Sequence, residues 1–153
     1  MAALFETVVD PIAQAEVLRR RRYGVIEMVD GRLRGIHLRP WPRRGSLLEA
    51  RTLGRLWHEW RTGDRALLYY SQPWGQSNYL ALRYCLSTRD CRLATARGGL
   101  LILDEIARLK QSDAILAEAS SDRISQRLPV RWGWEPLAGK SSHRTYVKRF
   151  YGE

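Results

Sequence analysis

Three stretches of this chain carry residue types whose placement could do chemistry. Glu118 stands inside an otherwise apolar run, Ala114-Ile115-Leu116-Ala117-Glu118-Ala119. A carboxyl group buried in such a strand has its pKa raised toward the range where it can take and return a proton near neutrality. At a strand end facing water the same residue is an ordinary surface acid. Tyr79 and Tyr84 lie in a second extended stretch, where their phenols either supply a proton or simply pack with a wet hydroxyl. Arg97-Gly98-Gly99-Leu100 reads as the opening of a helix, and two glycines with an arginine at a helix start present backbone N–H groups to an anion. A plain tight turn between strand and helix accounts for the same four residues. Cys85 and Cys91 flank a turn and read as free thiols, and the three histidines are scattered, so no metal site is expected.

The elements that would position these residues follow from patterning. Leu4 to Val9 reads as a short strand. Asp10-Pro11 then starts a helix, with an acidic N-cap and proline at the first helical position. That helix ends in Arg19-Arg20-Arg21-Arg22, whose charges either complement its dipole or form a patch for an anion or nucleic acid. Val25–Val29 and Arg32–Leu38 alternate about Asp30-Gly31, a two-residue hairpin signal. A loop from Arg39 to Gly45 precedes a helix capped by Ser46 and Glu49 and ended by Gly63. Three strands follow as an antiparallel meander, over Arg65–Ser71, Asn78–Leu86 and Cys91–Ala96. Gly98-Gly99 opens a helix through Leu109. Asp113–Ala119, Val130–Glu135 and Thr145–Tyr151 complete the strands, with a short helix over Arg123–Leu128.

The 153 residues have the length of one domain, expected over 1–153, and six Trp with seven Tyr exclude a disordered chain. No apolar run approaches the roughly 20 residues that span a bilayer. The segment Met1–Glu6 lacks the basic and long apolar parts of a secretion signal. No membrane insertion and a cytoplasmic location are therefore expected. The net charge of +10, almost all arginine, suits a polyanion (nucleic acid, anionic lipid or a phosphate-bearing cofactor) or a protein partner, and equally a solvated arginine-rich surface.

From residue 46 onward the order helix, meander, helix, strand, short helix, strand, strand resembles the GNAT superfamily of N-acetyltransferases. The sequence likeness concentrates in Ala114-Ile115-Leu116-Ala117-Glu118-Ala119-Ser120-Ser121-Asp122-Arg123 and the segment that follows to Pro136. There Gly133-Trp134 stands where many members have Gly-Phe. The resemblance implies an α/β fold with a mixed, mostly antiparallel central sheet flanked by helices. It implies a helix start that holds the cofactor pyrophosphate, and a splayed strand whose gap admits the pantetheine arm. It further implies transfer of an acetyl group from acetyl-CoA to an amine, without a metal. Arg97, Gly98, Gly99, Leu100 and Asp122 would then meet acetyl-CoA or CoA, Glu118 would serve as base and Tyr84 as acid.

The family's phosphate loop is reduced here to Ala96-Arg97-Gly98-Gly99-Leu100, Pro129 stands where a tyrosine acid is usual, and Asp122 replaces an asparagine. Two alternatives follow: a GNAT-like binding or assembly module without catalysis, and a basic nucleic-acid-binding protein. The amine acceptor has no signature, the first 45 residues match no family element, and the last strand, ending Phe150-Tyr151, could pair with a second copy in a homodimer.

Overall fold

The computed structural model describes residues 6–39, 63–72, 78–119, 133–137 and 144–150. The loop from Pro40, the helix after Ser46, the turn at Pro73-Trp74-Gly75, and the Ser120–Leu128 segment with Asp122 and Pro129 lie outside them. Among the described residues the chain runs β1 (Glu6–Val8), α1 (Ala15–Arg20), β2 (Tyr23–Val29), β3 (Arg32–Arg39), β4 (Arg65–Ser71), β5 (Tyr79–Ser87), α2 (Leu93–Leu109), β6 (Ala114–Ala119), β7 (Trp134–Leu137) and β8 (Arg144–Arg149). All described strands join one sheet in the order β1-β3-β2-β4-β5-β6-β8-β7. Every pair is antiparallel except β5 with β6. This is the mixed, mostly antiparallel α/β architecture expected from the sequence.

Local chemistry explains the first half. Asp10 Oδ1 accepts the N–H groups of Ile12 and Ala13 at 3.0 and 3.2 Å, so the acid caps the turn that leads into α1. At the end of α1 the arginines are used within the fold. Arg20 and Arg21 both reach Glu6, at 3.3 and 2.7 Å, and pin β1 to the helix end. Arg19 donates to the Leu109 carbonyl at 3.1 Å and Arg22 to that of Gln72 at 3.4 Å. The β2–β3 turn places Asp30 and Gly31 at φ of 52° and 78°, the left-handed pair that a primed hairpin turn requires.

Sheet alternation sends Ile26 and Met28 of β2, Leu68 and Tyr70 of β4, and Leu80 and Leu82 of β5 into one core with Leu103, Ile106 and Ala107 of α2. The opposite face carries a smaller cluster of Val25, Tyr69 and Leu86. Two expectations fail here. Residues 91–96 are not a third meander strand, and Gly98-Gly99 do not open a helix, because α2 already begins at Leu93. Leucine and alanine dominate this stretch, and Thr95, Gly99, Leu103 and Ile106 bury one face at helical spacing. The glycines instead allow α2 to lie close to the sheet. A Cβ on Gly99 would meet Leu68 Cδ1 at 2.6 Å, and one on Gly98 would meet Met28 Cε at 2.8 Å. β8 lies between β6 and β7, pairing with β6 over Arg144–Arg149 and with β7 over Thr145–Lys148.

The two glycines should respond differently to alanine. Alanine raises helix propensity by about 1 kcal/mol. At Gly98 only the flexible end of Met28 must move, so Gly98→Ala should be near neutral in urea unfolding. At Gly99 overpacking against Leu68 should outweigh that gain and leave a net loss of about 1–2 kcal/mol.

Candidate functional site

The single parallel pair among the described residues organises the site. Parallel strands need a crossover, and here α2 provides it between β5 and β6. The start of α2 therefore lies at the end of the sheet where β5 and β6 both finish. Pairing between these strands covers Tyr79–Leu82 against Ala114–Ala117 and stops there. Both strands continue. β5 runs on to Ser87 against β4, and Glu118 and Ala119 of β6 pair with Thr145 and Arg144 of β8. A wedge thus opens between β5 and β6 beyond Leu82 and Ala117. Its cause is local: Tyr69 pairs with Tyr84 and Tyr70 with Leu82, so Arg83 is an extra residue in β5. Such a bulge bends and twists a strand away from its neighbour. The Arg83 guanidinium is held by Ser71 Oγ at 3.1 Å.

Of the residues singled out from the sequence, Glu118 and Tyr84 are on the strands bordering this wedge. Glu118 is the first residue of β6 past the last β5–β6 pair, and Tyr84 directly follows the bulge. Their backbones are thereby brought to the two sides of one opening. Tyr79 lies at the paired end, in register with Ala114. Arg97, Gly98, Gly99 and Leu100 are separated from the opening by the first turn of α2.

The start of α2 is built around Asp64, a residue that the sequence did not mark. Its Oδ1 accepts the Arg92 N–H at 2.7 Å and its Oδ2 accepts the Thr95 hydroxyl at 2.7 Å. The Arg92 guanidinium lies 3.9 Å from the same carboxylate. The surrounding turns are latched to one another. Asp30 N–H donates to the Asp64 carbonyl at 2.8 Å. The buried Thr88 hydroxyl donates to the Gly63 carbonyl at 2.6 Å and accepts the Arg65 N–H at 3.0 Å. Burial alone would raise the Asp64 pKa, but the Arg92 N–H, the Thr95 hydroxyl and the Arg92 charge outweigh it and hold the carboxyl below its usual range. Next to it, burial and the Asp64 charge push the Cys91 thiol up to about 11, and burial pushes Cys85 up to about 12. Both cysteines are free thiols that pack against the core, and neither is an activated nucleophile near neutral pH.

Other ionisable groups serve the frame. Lys148 of β8 pairs with the buried Asp104 of α2 and ties the helix to the far half of the sheet. Lys110, past the other end of α2, donates to the Arg19 carbonyl at 2.9 Å and to Gln72 Oε1 at 3.2 Å. Burial and the nearby Arg22 charge lower its pKa to about 8. His37 bridges Thr7 and Glu27 at 3.3 and 2.9 Å as a cross-strand ladder that secures the edge strand β1. No helix is long and apolar enough to cross a membrane, and no cluster of metal-binding side chains occurs, both among the described residues.

No family model matches the chain, and no curated protein matches it. Among solved structures, that of a nourseothricin acetyltransferase is similar to it, with a TM-score of 0.48 and 12% identity over 96% of this chain and 99% of that one.

The Asp64 contacts carry a pH signature. A carboxyl whose folded pKa lies below its unfolded value stabilises the fold above the unfolded pKa, and that contribution disappears as pH falls through the folded one. Wild-type protein should therefore lose thermal stability between roughly pH 4 and pH 2 more steeply than Asp64→Asn. Parallel acid limbs for the two proteins would show that Asp64 is not held as described.

Proposed function

We propose that this chain is a GNAT-like, acyl-CoA-dependent N-acyltransferase that lays the pantetheine arm of its thioester donor between β5 and β6 and passes an acetyl group to an amine. The observation that supports this reading is the parting of those strands after Leu82 and Ala117 while both continue. Backbone polar groups in a sheet need partners. The β6-facing edge of β5 beyond Leu82, opposite the edge that pairs with β4, offers N–H and carbonyl groups at extended spacing, which suits an arm with two amides in the manner of an added strand. Backbone N–H groups there would also polarise the thioester carbonyl.

In this reading Glu118 accepts the proton that the amine loses as its nitrogen bonds to the thioester carbon. Tyr84 gives its proton to the sulfur as the C–S bond breaks. Asp122 would meet the donor from a segment outside the described residues. The net charge of +10 suits an acidic, amine-bearing acceptor. A second reading, a thioester-binding module without turnover, draws support from Arg97–Leu100 lying within α2 rather than in a phosphate loop.

Titration calorimetry with acetyl-CoA, followed by an amine screen that reads released thiol, separates these readings. The enzyme reading expects saturable binding at one site per chain. It also expects a turnover that Glu118→Gln lowers about 10²-fold or more with binding retained. Binding with no turnover on any amine would favour the module, and no binding at millimolar ligand would end both.

A further inference from the structure

We infer that Asp64 is a specificity-determining residue of this site, filling the anion position at the start of α2, so that the donor is a pantetheine-type diamide thioester whose binding gains nothing from a diphosphate head. This inference rests on the proposed thioester site and refines which donor enters it.

The wedge and the start of α2 share one end of the sheet, because α2 leaves from the end of β5 and returns the chain to β6. A donor lying between the strands would therefore point any phosphate at the first turn of α2, where helix dipole and N–H groups ordinarily favour an anion. That position already holds one. Asp64 takes the Arg92 N–H and the Thr95 hydroxyl, each at 2.7 Å, with the Arg92 guanidinium at 3.9 Å. These are the kinds of donor a phosphate oxygen would use. The carboxylate is also fixed: its side chain is 11% exposed, its backbone carbonyl accepts the Asp30 N–H, and its neighbours Gly63 and Arg65 are both held by Thr88.

A second, independent observation excludes a neighbouring cradle. The space beside Gly98 and Gly99 is taken by Met28 and Leu68, so a diphosphate has no glycine floor in the second turn. A diphosphate arriving here would face a like charge in a half-buried setting and would have to take Arg92 and Thr95 from Asp64. A pantetheine arm alone meets neither obstacle, whether it comes free or tethered to an acidic carrier protein that the basic chain would attract.

The test compares the binding of S-acetylpantetheine and acetyl-CoA to wild type and Asp64→Asn by calorimetry. Asparagine keeps one acceptor oxygen for these contacts and removes the charge. Circular dichroism checks that the fold persists, and Asp64→Ser, a shorter neutral side chain, serves as the second variant. Wild type should bind the two ligands within about threefold of each other. Either variant should tighten acetyl-CoA by about tenfold or more, the scale of relieving one charge repulsion, and leave S-acetylpantetheine unchanged. Acetyl-CoA binding wild type more than about tenfold tighter than S-acetylpantetheine would overturn the inference, as would variants that bind acetyl-CoA no better. Failure of both ligands to bind any of the proteins would instead sink the thioester site itself. An acetylated acidic carrier protein, run alongside, identifies the tethered source if it binds tighter than the free arm, and the free source if it does not.

Discussion

The structure depends on one constraint: two parallel strands cannot be joined by a tight turn, so the chain must cross over a face of the sheet between β5 and β6. The crossover is α2, and its packing decides much of the rest. Gly99 brings the helix backbone close to β4, where Leu68 fills the space that a side chain would need. The helix then buries Leu103, Ile106 and Ala107 in the main core, and its Asp104 reaches across to Lys148 on β8. A buried ion pair of this kind is weak evidence for net stability, but loss of either partner strands the other charge. It therefore helps to fix where α2 lies relative to the β6–β8 half.

The same crossover sets the end of the sheet where chemistry could occur. Helix start and strand ends converge there, and three turns meet around Asp64. Arg83 adds the second ingredient, since its bulge ends the parallel pairing without ending either strand. A βαβ unit with a parted strand pair presents two unlike surfaces side by side. One is an open backbone edge suited to amides. The other is a helix start that an internal carboxylate has already neutralised.

Short-range chemistry was the legible part of the sequence. Asp30-Gly31 set the β2–β3 hairpin, whereas Asp10-Pro11, which reads as a helix start, instead makes a capped turn, and α1 begins only at Ala15. Apolar runs located β4, β5, β6 and β8 to within a residue or two. What escaped notice depends on contacts distant in sequence. Gly98-Gly99 read as a helix boundary because glycine punctuates helices, whereas here each glycine makes room for a sheet residue. Cys91–Ala96 read as a strand because nothing local shows that Asp64, some 30 residues earlier, holds Arg92 and Thr95 at the helix start. Asp64 itself had no signature, being a lone acid between a glycine and a strand. Glu118 and Tyr84 were noticed for their residue types, but only the bulge and the parallel register place them beside one opening.

The claim most open to direct measurement is that the β5 edge beyond Leu82 receives an extended amide-bearing arm. Backbone hydrogen exchange of Arg83–Ser87, read against Tyr79–Leu82 in the same strand, tests it with and without saturating acetyl-CoA. Without ligand, the amides of Arg83–Ser87 that are not bonded to β4 should exchange faster than those locked between β4 and β6. With ligand they should slow by about tenfold or more, while Tyr79–Leu82 changes little. Protection of Arg83–Ser87 that already equals that of Tyr79–Leu82, or that the thioester leaves unchanged, would contradict the account.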